Sequence, residues 1–215
     1  MLVIGLGCLG WVGYQYFGTN IVSKRAFEQE KGGLRAKWDQ QQDQQQTATP
    51  SASRSTTNTR ENKAPTVIPG DAIALLRIPA FGAEYEVPIL AGTEVSTLSR
   101  GVGHYETTAL PGRVGNFAIA GHRVTHGQPF AKLLELDIGA EVIVETREAV
   151  YTYVVDVPPR DLTVDDTETC VLDPAPCAKG EPRRALLTLT TCEDLFSSAD
   201  RSIGFAHLES TEKKS

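Results

Sequence analysis

Basic residues are scarce relative to acidic ones in this chain of 215 residues. Lysine and arginine number 21 against 27 aspartates and glutamates, so the net charge is −6 at pH 7 and the pI is about 5.3. A protein that binds nucleic acid needs a clustered basic face to contact the phosphates. The composition therefore argues against a nucleic-acid partner, and the length suits one domain with appendages.

Charge is absent from residues 2–22. No Ala-x-Ala-like site follows, which argues against a cleaved signal peptide, and the polar segment behind it argues against a buried helix. The length matches the roughly 20 residues that a membrane helix needs. We therefore predict a single-pass membrane anchor over residues 1–22, with Cys8 as a packing residue within it. The aromatic side chains that suit its interfacial end are Trp11, Tyr14, Tyr16 and Phe17.

Large apolar side chains are rare from Asp39 to Pro65, a segment rich in Gln, Ser and Thr. Such a segment cannot bury enough surface to offset its ordering entropy, so the composition predicts a disordered tether. Residues 23–65 are thus predicted to be a juxtamembrane segment and linker. The mixed-charge stretch from Ser23 to Trp38 is compatible with a helix, although its apolar residues are too sparse for a convincing stripe: Ala26, Phe27, Leu34 and Trp38.

From Val67 onward, short apolar runs alternate with Pro, Gly and acidic turns, a pattern typical of an all-β domain. We predict one folded domain over residues 66–215. Its size and layout favour a closed barrel, while the pattern alone leaves a sandwich open. Short helices are expected at Val95–Ser99 and Pro129–Leu136. The predicted strands are Ala72–Ile78, Tyr85–Leu90, Asn116–Gly121, Glu141–Glu145, Val150–Val157, Arg184–Thr191 and Ser202–Leu208.

Cys192 stands where one predicted strand ends. Thr190 and Thr191 precede it and acidic residues follow, so the thiol lies at a polar rim, whereas a free cysteine is more often a small buried hydrophobe. A nucleophilic thiol needs a base or a counter-cation, because the thiolate is the reactive form. Arg201 opens the next apolar run and supplies a cation if the two strands are neighbours.

His122 is the first of four histidines to consider as the base. It follows the small-residue run Asn116–Gly121 at another strand exit, and catalytic groups often lie on loops held by rigid elements. His104 and His126 fall in turns, and His207 falls inside the last strand pattern. His122 is therefore the predicted partner of Cys192.

These residues together resemble the signature of sortases. The chain reads Thr-Leu-Thr-Thr-Cys at 188–192, with Arg201 after it and Ala-Gly-His-Arg at 120–123, and the resemblance covers about residues 68–209. It implies a closed eight-stranded β-barrel with short helices and a cysteine transpeptidase activity that needs no cofactor. Further segments resemble the actinobacterial class E sortases: 103–105, 110–112 and 115–127.

The resemblance also implies the reaction. Cys192 would attack the Thr-Gly bond of a C-terminal sorting motif on a secreted protein, of Leu-Ala-x-Thr-Gly or Leu-Pro-x-Thr-Gly type, and form a thioacyl intermediate. An amine of the cell-wall precursor lipid II would then take the acyl group. His122 would move the proton and Arg201 would stabilise the oxyanion or bind the substrate backbone. The expected substrate contacts are Tyr105, Thr190 and Thr191; Tyr105 is equally well read as an aromatic packed beside a glycine turn.

The expected location is the outer face of the cell membrane. Basic residues cluster after the predicted span, which by the positive-inside rule would place the domain in the cytoplasm. Because a sortase works outside, we expect the true start of the protein to lie upstream of Met1. The residues that create this conflict are Lys24, Arg25, Lys31, Arg35 and Lys37.

Cys170 and Cys177 flank a short Pro-containing segment. In an oxidising extracellular setting this spacing predicts a disulfide that closes a small loop, and a metal pair is disfavoured because no histidine is nearby. A calcium site is weighed against a solvated acidic turn, and the turn is favoured because no regular ligand spacing is present. We therefore expect no metal; the acidic residues concerned are Asp165, Asp166 and Glu168.

Three other functions stay open at this point. A membrane-tethered cysteine peptidase would pass the acyl group to water, and a non-catalytic surface β domain would lack a reactive thiol. A class C pilin polymerase commonly carries an Asp-Pro-aromatic lid before the barrel. The only Asp-Pro in this chain is Asp173-Pro174, which lies downstream and is followed by alanine.

Overall fold

The computed structural model describes residues 14, 18–47, 68–192 and 199–214. Helices run over Thr19–Thr47, here called the N-terminal helix, and over Val95–Leu98. Single 3₁₀ turns cover Pro79–Phe81, Leu133–Glu135 and Thr169–Leu172. The strands are β1 Ala72–Arg77, β2 Glu86–Ala91, β3 Val102–His104, β4 Gly115–Ala120, β5 Glu141–Glu145, β6 Ala149–Val157, β7 Thr163–Asp165, β8 Ala185–Cys192 and β9 Asp200–Lys213.

Eight of these strands close into a barrel. The order is β6-β5-β1-β2-β3-β4-β8-β9, and β6 pairs back with β9 from Ala149 opposite Lys213 to Val157 opposite Phe205. The short strand β7 pairs with the first residues of β9, from Asp165 opposite Asp200 to Thr163 opposite Ser202. The predicted closed eight-stranded barrel is therefore confirmed, and closure leaves the strand ends as rigid neighbours.

The barrel interior is filled by apolar side chains from every wall. The neighbouring strands β4 and β8 run parallel in the barrel wall, and their side chains Phe117, Ile119, Leu187 and Leu189 are fully buried. Tyr153 is also buried, and its hydroxyl accepts the backbone N–H of Gly112. Both faces of β4 are covered, so its residues are apolar or small rather than alternating, except Asn116, whose side chain is hydrogen-bonded.

The N-terminal helix packs on the outside of the barrel. Phe27 and Leu34 are each only 5% exposed, so two of the few apolar residues of this segment are buried by the helix packing. Its outer turns form ion pairs with the barrel, Arg35 with Glu86 on β2 and Glu30 with Arg100. The packing of a helix depends on which residues face the partner surface rather than on their number.

This helix changes the predicted boundary of the tether. The helix continues to Thr47, so residues 39–47 are helical, whereas the sequence predicted a tether from Asp39. The rest of the predicted tether, 48–65, lies outside the described residues, as do 1–13 and 15–17 of the predicted membrane anchor. In the parts of the chain that are described, no helix combines the length and the apolar character required to cross a bilayer.

Two short strands and one helix differ from the prediction. The three-residue strands β3 and β7 were not predicted, because three residues carry too little alternation to detect. The predicted helix Pro129–Leu136 is reduced to one 3₁₀ turn at Leu133–Glu135. Tertiary hydrogen bonds hold its first residues in a turn: the Tyr85 hydroxyl donates to the Pro129 carbonyl at 2.6 Å, and the Phe130 N–H donates to the His122 carbonyl at 3.0 Å.

Candidate active site

Cys192 and Arg201 are paired across adjacent antiparallel strands. Cys192 is the last residue of β8, and its Cα partner in the ladder with β9 is Arg201. Directly opposed residues of antiparallel strands have Cα atoms about 4.5–5.5 Å apart. The strands that carry Cys192 and Arg201 are thus neighbours, as the pairing of the thiol with this cation requires.

His122 reaches the same rim from β4. The parallel ladder of β4 and β8 ends with Ala120 opposite Thr190. Beyond it, the Gly121 N–H donates to the Thr190 carbonyl at 3.1 Å, and the Thr191 hydroxyl donates to the Gly121 carbonyl at 2.8 Å. His122 and Cys192 each follow the last pair by two positions, so the structure brings both chain positions to one end of the barrel.

The His122 ring is held in its neutral form. Burial, together with the nearby charge of His126, lowers the pKa of His122 to about 4. The two rings stack with centroids 4.6 Å apart, and Tyr105 and Arg201 line the groove into which His122 faces. The Nε2 atom of His122 is buried and has no hydrogen-bond partner among the described residues. A neutral imidazole with an uncommitted nitrogen is suited to accept a proton.

Two other histidines, His104 and His207, have polar partners of their own. His104 is 1% exposed on β3, and its Nε2 lies 3.1 Å from both the Thr108 hydroxyl and the Ala109 carbonyl oxygen. Burial lowers the pKa of His104. His207 lies on the surface of β9 and contacts Asp156 at 2.9 Å. No role was predicted for His126 from the sequence, because a histidine in a polar turn carries no periodic signal.

The three predicted substrate contacts line one groove with His122 and Arg201. Tyr105 follows β3 at the groove wall, while Thr190 and Thr191 are 3% and 2% exposed at its floor. The Thr191 hydroxyl is already bonded to Gly121, so its observed contact joins β8 to β4. The sequence did not predict the opposite wall, to which Thr93 and Leu98 contribute.

A second hollow adjoins the groove on the β7 side. Tyr105, Thr190 and Arg201 line both, and Asp166 contacts the Arg201 guanidinium at 3.8 Å. The Asp165 carboxylate accepts both the hydroxyl and the N–H of Thr167, and these hydrogen bonds lower the pKa of Asp165. Within the described ranges, no group of three or more potential ligands is arranged to hold a metal ion.

The disulfide loop forms one wall of this second hollow. Cys170 and Cys177 are bonded. The Asn116 side-chain amide donates to the carbonyls of Val171 and Asp173, and the Thr188 hydroxyl donates to Asn116 Oδ1 at 2.7 Å. This buried network fastens the loop to β4 and to β8, the strand that ends at Cys192.

Comparison with known proteins identifies the family. A model of the sortase domain matches residues 76–209. Sortase SrtE1 of Streptomyces coelicolor is 39% identical over 145 residues, which are 63% of this chain and 40% of that protein. The solved sortase E of Streptomyces avermitilis is 40% identical with a TM-score of 0.61, over 68% of this chain and 93% of that one.

A further solved structure, sortase E1 of Streptomyces coelicolor with a tripeptide in the active site, is 34% identical with a TM-score of 0.59. It covers 68% of this chain and 93% of its own. The chain belongs to the sortase family of cysteine transpeptidases and is similar to the class E sortases of Streptomyces, which confirms the prediction of family and enzyme class.

Proposed function

We propose that this sortase cleaves the Thr-Gly bond of a C-terminal sorting motif and transfers the acyl group to an amine of the cell-wall precursor. The observation that carries the proposal is the convergence of His122, Cys192 and Arg201, from the ends of β4 and β8 and the start of β9, at one rim of a rigid barrel. Catalytic groups fixed on adjacent strands require little reorganisation at the moment of reaction.

The proposed first half-reaction begins with proton transfer. Neutral His122 takes the Cys192 thiol proton as the sulfur forms a bond to the threonine carbonyl carbon. The tetrahedral intermediate collapses, the C–N bond breaks, and the protonated imidazole returns that proton to the departing glycine amine. Cys192 is left as a thioester and His122 is again neutral.

The second half-reaction reverses the same steps with a different amine. An acceptor amine attacks the thioester carbonyl and gives a proton to His122, a new amide forms, and the thiol is regenerated. Arg201 offers guanidinium N–H donors to the oxyanion of each tetrahedral intermediate, where such donors typically contribute most. The Arg201 side chain is 30% exposed and lies beside Asp166, so it is reachable from the groove.

The groove supports a substrate in extended form. Tyr105 stands between the groove and the second hollow, where an aromatic side chain would contact residues before the scissile bond. A related sortase E1 is described with a tripeptide in its active site, which supports peptide binding at this rim. We propose a motif of Leu-Ala-x-Thr-Gly type, with the Leu-Pro-x-Thr-Gly type as the competing substrate.

The proposed setting is the outer face of the membrane, with the uncharged segment from residue 2 to residue 18 as the anchor. The uncharged length of that segment supports this assignment. The last residues of the predicted anchor, from Thr19, belong to the N-terminal helix, where Asn20 contacts the barrel, and we place them outside the membrane. The substrates would be secreted proteins bearing the sorting motif, and the acceptor would be lipid II, which is held at the same surface.

The test uses the full-length chain with both motif peptides and an added amine, and mass spectrometry follows the products. We expect an amine-ligated product that Cys192→Ala abolishes, with the alanine motif preferred. Hydrolysis alone would indicate the tethered peptidase instead. The absence of any Cys192 thioacyl adduct would overturn the assignment, since the adduct is common to both reactions.

A further inference from the structure

We propose that the first turns of the N-terminal helix, from Asn20 to Phe27, hold the loop that carries His122, and that Asn20 is a positioning residue for this loop. This inference rests on the proposed catalytic role of His122. The helix precedes the sortase-domain match at 76–209, so nothing in the family assignment gives it a role. Its first turns nevertheless contact the loop between His122 and Phe130.

The contact is centred on Gly127. Its backbone N–H donates to the Asn20 side-chain oxygen at 2.7 Å, across a sequence separation of 107 residues. Gly127 has φ +81°, and a Cβ at this position would lie 2.7 Å from the Phe27 ring and 3.3 Å from Ser23. Both the backbone conformation and the close approach require glycine, so helix and loop are fitted to each other.

The loop needs such external support. His126 and Gln128, which flank Gly127, have φ of 53° and 54°, a left-handed conformation that non-glycine residues rarely adopt. Conformations of this kind persist only where the surrounding structure determines them. The helix supplies one constraint through Asn20 and Phe27, and the Tyr85 hydroxyl supplies another through the Pro129 carbonyl.

The residues next to Gly127 in this loop contact His122 directly. His126, the preceding residue, stacks on His122, and the loop is closed where the Phe130 N–H donates to the His122 carbonyl. Burial and the charge of His126 together lower the pKa of His122. If the loop moved outward, both influences would weaken and the Nε2 atom would gain access to water.

Other contacts dock the helix without involving the loop. Arg35 pairs with Glu86 at 2.7 Å, and Glu30 pairs with Arg100, which also donates to the Gly70 carbonyl at 2.9 Å. These pairs lie along the helix beyond Phe27 and do not touch the His122 loop. They therefore provide a matched control for helix attachment alone.

The test compares Asn20→Ala with Arg35→Ala in the full-length chain. The ring signals of His122 are titrated by NMR, and the kinetics of the motif peptide are measured with the amine. In Asn20→Ala we expect the pKa of His122 to rise from about 4 toward 6.5. The value of kcat should fall about tenfold with little change in KM, because the partly buried hydrogen bond that positions the loop is lost.

Asn20→Asp, which retains the acceptor oxygen, should keep kcat within about threefold of wild type, a difference below the typical value of one hydrogen bond. Arg35→Ala should leave both the titration and kcat close to wild type. Should Asn20→Ala fold poorly, Phe27→Leu is the second variant, with the same expected direction in the His122 titration.

Two outcomes separate the proposals. If His122 titrates identically in wild type and Asn20→Ala, or if Arg35→Ala produces the same change as Asn20→Ala, the helix does not position the loop. If the wild-type chain forms no thioacyl adduct while Asn20→Ala still raises the pKa of His122, the proposed function fails and the positioning role stands.

Discussion

His126 lies against His122 with the two rings 4.6 Å apart and inclined by 26°. A second titratable ring in this position opposes protonation of the first, because the two positive charges would repel at short range. Burial is the larger influence on the pKa of His122, and His126 adds to it in the same direction. The pair therefore keeps the His122 imidazole neutral across the physiological range.

Replacing His126 tests this relationship. His126→Asn removes the charge, so the pKa of His122 should rise from about 4, and it should stay below 6.5 because burial persists. NMR titration of the His122 ring measures the shift directly. The control is His207→Asn, which should leave the His122 titration unchanged. His207 lies on β9 and pairs with Asp156.

Stability should depend on the same titration. The pKa of His122 is 6.5 in the unfolded reference and about 4 in the folded protein, so the unfolded chain binds the proton more readily. The stability linked to His122 is complete above about pH 6.5 and is lost as the pH falls through 4. Urea unfolding at a series of pH values should give a smaller acid loss for His122→Gln than for wild type. Equal losses would mean that the imidazole is not held neutral by the fold.

Arg201 should not be replaceable by lysine without loss. Arg201→Lys retains the charge but loses the planar fork of donors, and we expect kcat/KM to fall about 10²-fold, as for the loss of an oxyanion-hole donor. Peptide cleavage kinetics measure this. Arg77→Lys, whose guanidinium pairs with Glu145 at 3.2 Å on another part of the barrel, should retain near wild-type rates. A similar loss in both variants would attribute the effect to folding.

Removing the Asn116 side-chain amide should loosen the disulfide loop. Asn116 is 1% exposed and satisfies the Val171 and Asp173 carbonyls and the Thr188 hydroxyl. Asn116→Ala removes the side-chain donor to the Val171 and Asp173 carbonyls and leaves the Thr188 hydroxyl with only its 3.2 Å bond to the Val171 carbonyl, at a cost of about 2 kcal/mol in the free energy of unfolding. Denaturant unfolding measures the loss. Because they share one network, Asn116→Ala and Thr188→Val should be less than additive in the double variant.

The disulfide should contribute to stability through the small loop that it closes. Cys170 and Cys177 lie seven positions apart in the sequence, for which loop-closure entropy predicts about 2.5 kcal/mol. Unfolding of the Cys170→Ser, Cys177→Ser double variant measures this, and wild type under reducing conditions should approach it. An unchanged midpoint would indicate that the Asn116 network alone holds the loop.

The barrel was predictable from sequence because its long strands alternate with strong turn residues. Glu141–Glu145 was predicted to the residue, and the Cys192 and Arg201 positions followed from strand ends. The features that the sequence did not predict depend on contacts between residues that are distant in sequence. The extension of the N-terminal helix to Thr47 crosses a glutamine-rich segment without an apolar stripe, and the burial of Phe27 requires the loop at Gly127 to be in place.

The stacking of His126 on His122 was also not predictable from the sequence pattern. A histidine in a polar turn has no periodicity, and its contact with His122 results from the left-handed backbone at residue 126. The groove wall at Thr93 and Leu98 likewise depends on β3, whose three residues gave no detectable signal. The His126 stack and this groove wall depend on tertiary contacts, whereas the long strands follow from local sequence.

The covalent connection between the N-terminal helix and β1 through residues 48–67 makes the helix an intramolecular ligand of the barrel. Effective concentrations for modules joined by short linkers reach the millimolar range, so individually weak contacts such as Asn20 to Gly127 are sufficient to stay formed. Cleavage of the chain within 48–67 would turn this docking into a bimolecular equilibrium. The order of the His122 loop would then depend on the concentration of the protein.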